Sequence, residues 1–411
     1  LKPRGNKCFP GRSPQQMGWF PGGSCIPVAS WARFTWQRQA PAASTASNDT
    51  AAKIASASAV VCTSCLQKCP LANRSCAICD AAPGLQIGDY RFTGAFKSLY
   101  DASRGPSLAN SMVFMGLAKG PRSAQELMVA LKTVPVDGDP ESLAMARREI
   151  QVLRRFGGRH PNIIRLLLDV ETEHELVLLT PFAPSGDLFA LTTVAGGAAV
   201  KCLEEADAGG LCSQLLAALA ALHGWRILHG DVKPHNVFLT SVAGAFIAQL
   251  GDFGLSQAVP AGTDGVPSQG GTPGYMAPEL VGRTVGAPQP LVSFGADLFA
   301  CGVLAYALLS SMMPFDPPSH VNADLEFDDG CWDPLDSRAR EFVGGLLGKI
   351  PEERGTAAKA LEHPWLAAAA VAERGRKRQC FAPQPDAALR FHDMARVWEL
   401  SAPEAQGDRT Q

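Results

Sequence analysis

Apolar residues fall into regular spacings from Ile87 to Trp365, and beyond those limits they do not. Tyr90 to Ala102 reads as a hairpin of strands, and Leu127-Met-Val-Ala-Leu-Lys132-Thr-Val as a strongly apolar strand. Asp139-Pro140-Glu141 has the form of a helix start, a capping carboxylate followed by proline in the first turn. Leu143, Ala146, Ile150 and Leu153 then line one helical face, and Gly157-Gly158 stops it. Ile163 to Asp169 and Glu175 to Thr180 read as two further strands of a small sheet. After Pro184-Ser-Gly-Asp187 the period changes. Leu211, Leu215, Leu219 and Leu222 recur at helical spacing, and helices alternate with loops up to Trp365. A β-rich first part and a helical second part make this an α+β chain, without internal repeats.

The flanks carry no such pattern. Residues 1 to about 60 hold seven Lys or Arg and one acidic residue, Asp49, among Ser, Ala, Pro and Gly, and read as disordered. An acid-poor N-terminus with Arg and Ser also suits an organelle transit peptide. The chain opens on Leu1 rather than Met, as a fragment or a processed form would. The tail after Leu366 is Ala-rich and then carries Arg374-Gly-Arg-Lys-Arg378, a solvated charged end or a nuclear signal. The expected divisions are 1–86, a disordered or targeting region rich in cysteine; 87–366, one folded domain; and 367–411, a disordered tail.

Composition narrows the classes. Of 411 residues 46% are hydrophobic, enough for a large core. A net charge of −2 gives no global pull toward nucleic acid or an anionic membrane. The longest apolar stretch, Leu298 to Met313, is shorter than the ~20 residues a spanning helix needs. Seven of the twelve cysteines precede residue 85. Among them Cys62-x-x-Cys65 and Cys76-x-x-Cys79 can supply a zinc site, all-thiolate because every histidine lies at 160 or later. Redox-active or inert thiols are the alternative. Single cysteines elsewhere suit a reducing compartment, so a cytoplasmic or nuclear location is expected, with an organelle as the alternative.

Chemistry is concentrated in three segments. Ile227-Leu-His-Gly-Asp231-Val-Lys233-Pro-His-Asn236-Val-Phe-Leu239 is followed by Gly251-Asp252-Phe253-Gly254, then by Gly271-Thr-Pro-Gly-Tyr-Met-Ala277-Pro278-Glu279. Two carboxylates, a lysine and an amide carbonyl thus stand in two short loops flanked by apolar strands. Phosphoryl transfer needs that set: one carboxylate to orient the attacking hydroxyl, and oxygen ligands for Mg²⁺. Asp and Gly are also ordinary turn formers, and either tripeptide alone would be no more than that. Their joint order and spacing carries the chemical meaning.

At these residues the chain resembles the eukaryotic protein kinase family, of the serine/threonine type. The resemblance covers residues 87–366 and implies a bilobal fold, with a small β-rich N-lobe at 87–183 and a larger helical C-lobe at 184–366. It implies transfer of the ATP γ-phosphoryl group to Ser or Thr of a protein substrate, with ATP and Mg²⁺ as cofactors. Asp231 would orient the hydroxyl, Lys233 would neutralise the migrating group, and Asn236 and Asp252 would hold Mg²⁺. Lys132 in Val129-Ala-Leu-Lys132 would meet the α- and β-phosphates and pair with Glu149. Thr180 would stand behind the adenine, Ala183 would offer its N–H to the base, and Asp187 would reach the ribose. Asp297 would anchor the loop backbone, and Arg354 would pair with Glu279 in the interior. His229 and Phe253 would be packing residues. Glu362-His363-Pro364-Trp365 closes the domain as in calmodulin-dependent-type kinases, although no basic amphipathic helix after it reads as a calmodulin target.

Two places depart from the family. Phe92-Thr-Gly94-Ala-Phe96-Lys97-Ser-Leu99-Tyr-Asp-Ala102 aligns with the glycine-rich phosphate loop, but only Gly94 survives. Phe92 and Lys97 would loosen that cradle, glycine at both would tighten ATP binding, and an insertion from Ser103 to Leu127 would follow. Gly230 stands where most members have an arginine that receives an activation-loop phosphate. Thr263, Ser268 and Thr272 would lack that clamp, so activity independent of loop phosphorylation is expected. Two rivals stay open: a small-molecule phosphotransferase of aminoglycoside or choline type, and a pseudokinase scaffold that binds nucleotide without turnover.

Overall fold

The computed structural model describes residues 59–62, 68–70, 85–87, 89–92, 97–98, 111–121, 125–156, 158–192, 202–242, 245–281, 289–315, 321–327 and 329–375. Gly94, Cys65, Cys76 and Cys79 lie outside the described residues, and of Cys62 only its place in a strand is described. The first part is a sheet of β1 (Ala59–Cys62), β2 (Lys68–Pro70), β3 (Leu85–Ile87), β4 (Tyr90–Phe92), β5 (Lys97–Ser98), β6 (Met112–Lys119), β7 (Glu126–Pro135), β8 (Leu168–Glu171) and β9 (Glu175–Pro181). Its order is β2-β1-β3-β4-β6-β7-β9-β8, antiparallel throughout, with β5 also paired to β6. β1 and β2 therefore continue the sheet upstream of the boundary expected at 87.

Three expectations for this lobe change. Tyr90 to Ala102 is not a hairpin, because β4 and β5 follow one another along β6, Arg91 opposite Lys119 and Lys97 opposite Met115. Between these pairs the register advances six residues on one side against four on the other. The insertion expected from Ser103 to Leu127 holds a central strand instead, since β6 pairs with β7 along its length and Val113 faces Lys132. Met112-Val-Phe-Met-Gly-Leu-Ala-Lys119 lacks alternation because a strand covered on both faces is apolar on both. Finally, Phe92 is 1% exposed and packs with Ile87, Phe114 and Leu131. Glycine there would open a core cavity rather than free a phosphate loop.

Strand alternation aims the half-buried Lys132. Val129 and Leu131 of β7 share a face with Val177 and Leu179 of β9, whereas Leu176 and Leu178 face helix α1 (Pro140–Phe156). Lys132, opposite Leu178, therefore emerges on the helix side. Asp139 caps α1 by accepting from the N–H and hydroxyl of Ser142 at 2.9 and 2.6 Å. Arg147 and Arg154 pair with Glu171 and Asp169, tying the outer face of α1 to β8. Ile163 and Ile164 do not begin β8. The N–H of Ile164 bonds to the carbonyl of Leu250, and both isoleucines join the core of the second lobe.

That lobe is built around α2 (Glu205–Gly224), α3 (Phe294–Ser310), α4 (Ser337–Leu346) and α5 (Pro364–Gly375). Helix α3 is buried around its whole circumference, which explains its unbroken apolar sequence. Gly209 of α2 admits Ala369 of α5 at a distance no Cβ would allow, and Trp365 Nε1 donates to Glu205 Oε1 at 2.7 Å. The folded part thus runs past the boundary expected at 366. Among the described residues no helix is long and apolar enough to cross a membrane. Arg354, with no exposed side-chain surface, forks onto Glu279 at 2.8 and 2.7 Å and donates also to the carbonyls of Gly348 and Gly295.

Removing one partner of such a pair leaves a buried charge without its counter-charge. Glu279→Ala should lower unfolding free energy by about 3–5 kcal/mol in urea denaturation. A loss below about 1 kcal/mol, the value of an exposed pair, would show the fork to be superficial.

Candidate active site

The site lies where short strands bring distant loops together. β10 (Ile227–Leu228) pairs with β13 (Gln257–Ala258), and β11 (Val237–Val242) forms a hairpin with β12 (Ala245–Leu250). Val237 faces Leu250, so the residues just outside that register, Asn236 and Gly251, must meet, and the Gly251 N–H bonds to the Asn236 carbonyl at 2.9 Å. Asp252 follows with a left-handed φ of 58°, a conformation rarely adopted by residues other than glycine. Lys132 Nζ stands 2.7 Å from Glu149 Oε2 and 3.8 Å from Asp252 Oδ1. Across the cleft Lys233 Nζ is 2.5 Å from Asp231 Oδ2, and Asn236 Nδ2 donates to the Asp231 carbonyl at 2.8 Å. The six polar residues expected to share one site, Lys132, Glu149, Asp231, Lys233, Asn236 and Asp252, therefore do share it.

Asp231 is held from both sides. Its Oδ1 accepts from the N–H and hydroxyl of Thr272 at 3.0 and 2.6 Å, while Lys233 also reaches that hydroxyl at 2.8 Å. The loop backbone is shaped by Asp297 in the first turn of α3. Its Oδ2 accepts from the His229 N–H and lies 2.9 Å from His223 Nε2, and its Oδ1 accepts from the Gly230 N–H. His229 and Phe253 have no exposed surface, and their rings meet edge to face at 5.1 Å. On the opposite wall, β9 ends at Pro181, the Phe182 N–H bonds to the Met128 carbonyl, and Ser185 and Gly186 bond to Leu239. Thr180 and Ala183 line this strand-to-helix passage half-buried. Asp187 Oδ1 accepts from the Ala190 N–H at 2.7 Å, so it caps the short helix Leu188–Thr192.

The model of the protein kinase domain matches residues 114–366, well over half of the chain. This chain belongs to the protein kinase family. The kinase match begins within β6, so β1–β5 precede it. The chain is 36% identical over 231 residues to the calcium/calmodulin-dependent protein kinase type I of Schizosaccharomyces pombe, covering 54% of this chain and 65% of that one. To the rat calcium/calmodulin-dependent protein kinase type 1B it is 34% identical over 254 residues, covering 60% and 70%. To the Caenorhabditis briggsae calcium/calmodulin-dependent protein kinase type 1 it is 31% identical over 265 residues, covering 63% and 69%. The serine/threonine type and its resemblance to calmodulin-dependent kinases thus hold, while the chain spans slightly under two thirds of the yeast relative's length.

The kinase cleft sets its own charges. Burial opposes the ammonium of Lys132, but Glu149 and Asp252 outweigh it and hold Lys132 above its ordinary range. Burial likewise opposes the charge of Asp252, yet Lys132, Lys233 and His229 draw its carboxyl below the usual carboxylate range. Glu149 is pushed up by burial and by Asp252, against the pull of Lys132. For Asp297, burial is overcome by His223, His229 and the Gly230 N–H, and its carboxyl is lowered.

Three residues in contact with the kinase loops were not singled out for these roles from the sequence. Thr272, expected only as a loop hydroxyl, holds Asp231 and Lys233. Arg148 of α1 donates to the carbonyl of Gly254 at 2.6 Å. Arg226 grips the segment after Asp252 through its carbonyls. Arginines that bond to carbonyls leave no mark in a linear sequence. Among the described residues no group of three or more His, Cys, Asp or Glu is placed to hold a metal.

Lys132→Met should lower turnover by about 10²–10³-fold with little loss of melting temperature. Glu149, left buried without its partner, takes up a proton rather than remaining charged. Turnover near wild type would remove Lys132 from the site. Asp297 gives a second test. Its folded pKa lies below the unfolded one, so its stabilisation is full above about pH 4 and lost as pH falls through the lowered value. Asp297→Asn should be less stable than wild type at pH 7, with the gap narrowing toward pH 3 in denaturant titrations; an unchanged gap would contradict the ionised carboxylate.

Proposed function

We propose that this chain transfers the terminal phosphoryl group of ATP to serine or threonine hydroxyls of proteins, and does so with its activation segment unphosphorylated. One observation carries the reading: Lys132 bridges Glu149 and Asp252 on one side of the cleft, while Lys233 bridges Asp231 and Thr272 on the other. Asp231 orients the attacking hydroxyl, and Lys233 beside it offsets charge on the group in transit. Lys132, fixed by Glu149, meets the α- and β-phosphates. Asn236 commits its Nδ2 to the Asp231 carbonyl, which leaves its amide oxygen, with the ionised Asp252, as a hard-oxygen donor pair suited to Mg²⁺. When bound, that ion would neutralise phosphate charge. Thr180 and Ala183 flank the base, and Asp187 adds its carboxylate near the ribose while capping its helix.

Independence from loop phosphate is supported at Gly230. Its φ is +83°, and a Cβ there would meet the Leu255 carbonyl oxygen at 2.9 Å. No side chain at 230 fits without a shift, so a phosphate on Thr263 or Ser268 has no partner at that position. The relatives' names bring calcium-calmodulin forward as a regulator, and a peptide-transfer assay with and without it assigns or removes that dependence.

Dephosphorylated full-length protein should transfer phosphate to a generic Ser/Thr peptide at the rate of the untreated protein. A large loss after phosphatase treatment would overturn the independence. Binding of Mg-ATP without transfer would instead favour a scaffold.

A further inference from the structure

Resting on that reading, we propose that Arg226 is a positioning residue that orders the activation segment through backbone carbonyls, in place of the phosphate clamp that Gly230 cannot provide. Arg226 Nε donates to the Val259 carbonyl at 2.9 Å, and Nη2 donates to the carbonyls of Pro260 and Thr263 at 2.6 and 2.9 Å. The Val259 N–H returns a bond to the Arg226 carbonyl at 2.8 Å. One residue thus holds a whole turn of the segment by charge-assisted donors and by its own backbone.

The local structure fits this task. Arg226 sits at φ 57°, the left-handed residue that ends α2, with its N–H bonded to the His223 carbonyl at 2.8 Å. That turn separates its side chain from its neighbour's. Trp225 packs on the end of α1, edge to face with Phe156 and under the Arg155 guanidinium at 4.5 Å. Arg226, the next residue, instead crosses to the activation segment, passing 5.8 Å from the ring of Phe294. Arg148 holds the segment's start at Gly254, and Asp231 with Lys233 holds its end at Thr272. Arg226 supplies the middle support. A carbonyl cannot be dephosphorylated, so the hold persists regardless of phosphatase.

The test uses dephosphorylated full-length protein, with Arg226→Gly and Arg226→Lys. Glycine accepts φ 57° without strain, so Arg226→Gly removes the guanidinium while keeping the backbone path. Amide hydrogen exchange at residues 255–266 should speed up about tenfold or more in Arg226→Gly, the size of one lost charge-assisted bond. Peptide kcat/KM should fall by a similar factor, with the KM for ATP and the melting temperature nearly unchanged; lysine, which keeps the charge but not the fork, should recover part of both. Unchanged exchange at 255–266 in Arg226→Gly overturns the proposal. A general drop in melting temperature, with ATP KM and peptide kcat/KM worsening together, also overturns it by reducing Arg226 to a fold residue. A wild type without any transfer removes the kinase reading, and the exchange measurement still decides the clamp.

Discussion

A carboxylate in the first turn of the most buried helix sets the shape of everything that faces substrate. Asp297 receives donors from His223, His229 and Gly230, so the chain just before Asp231 can follow only one path. An anion at the start of a helix is favoured by the unpaired N–H groups there, and burial strengthens each of its hydrogen bonds. The β11–β12 hairpin then fixes Asn236 against Gly251, and Asp252 follows. Position in the cleft thus descends from the core outward, and the loops are stiff although they are not regular structure.

The kinase's second support is distributed over arginines. Arg354 is wholly buried and forked onto Glu279, whereas Arg148 and Arg226 end on carbonyls. A guanidinium suits both tasks because its donors lie in one plane and it is weakly hydrated. The activation segment is therefore held by groups that are always charged.

The sequence made the second lobe legible and the first only in part. Asn236 and Asp252 flank the local β11–β12 hairpin, and Asp231 and Lys233 stand within five residues of Asn236, so their meeting depended on few distant contacts. Lys132 and Glu149 were readable through the family resemblance of Val129-Ala-Leu-Lys132, with Glu149 beside the apolar stripe of α1. The early sheet was misjudged because β6, apolar on both faces, gives no period, and because Phe92 near a lone glycine resembled a worn loop when it was core. Thr272, Arg148 and Arg226 stayed hidden for another reason: their partners are backbone atoms or residues far along the chain.

The close seating of α5 on α2 has a consequence for where this domain can be shortened. A version cut after Leu366 would keep Trp365 and its bond to Glu205, yet strip Ala369 from the groove over Gly209. That groove would open a strip of apolar helix to water. The folded unit therefore includes α5 at least as far as Ala369, beyond the His-Pro-Trp signature.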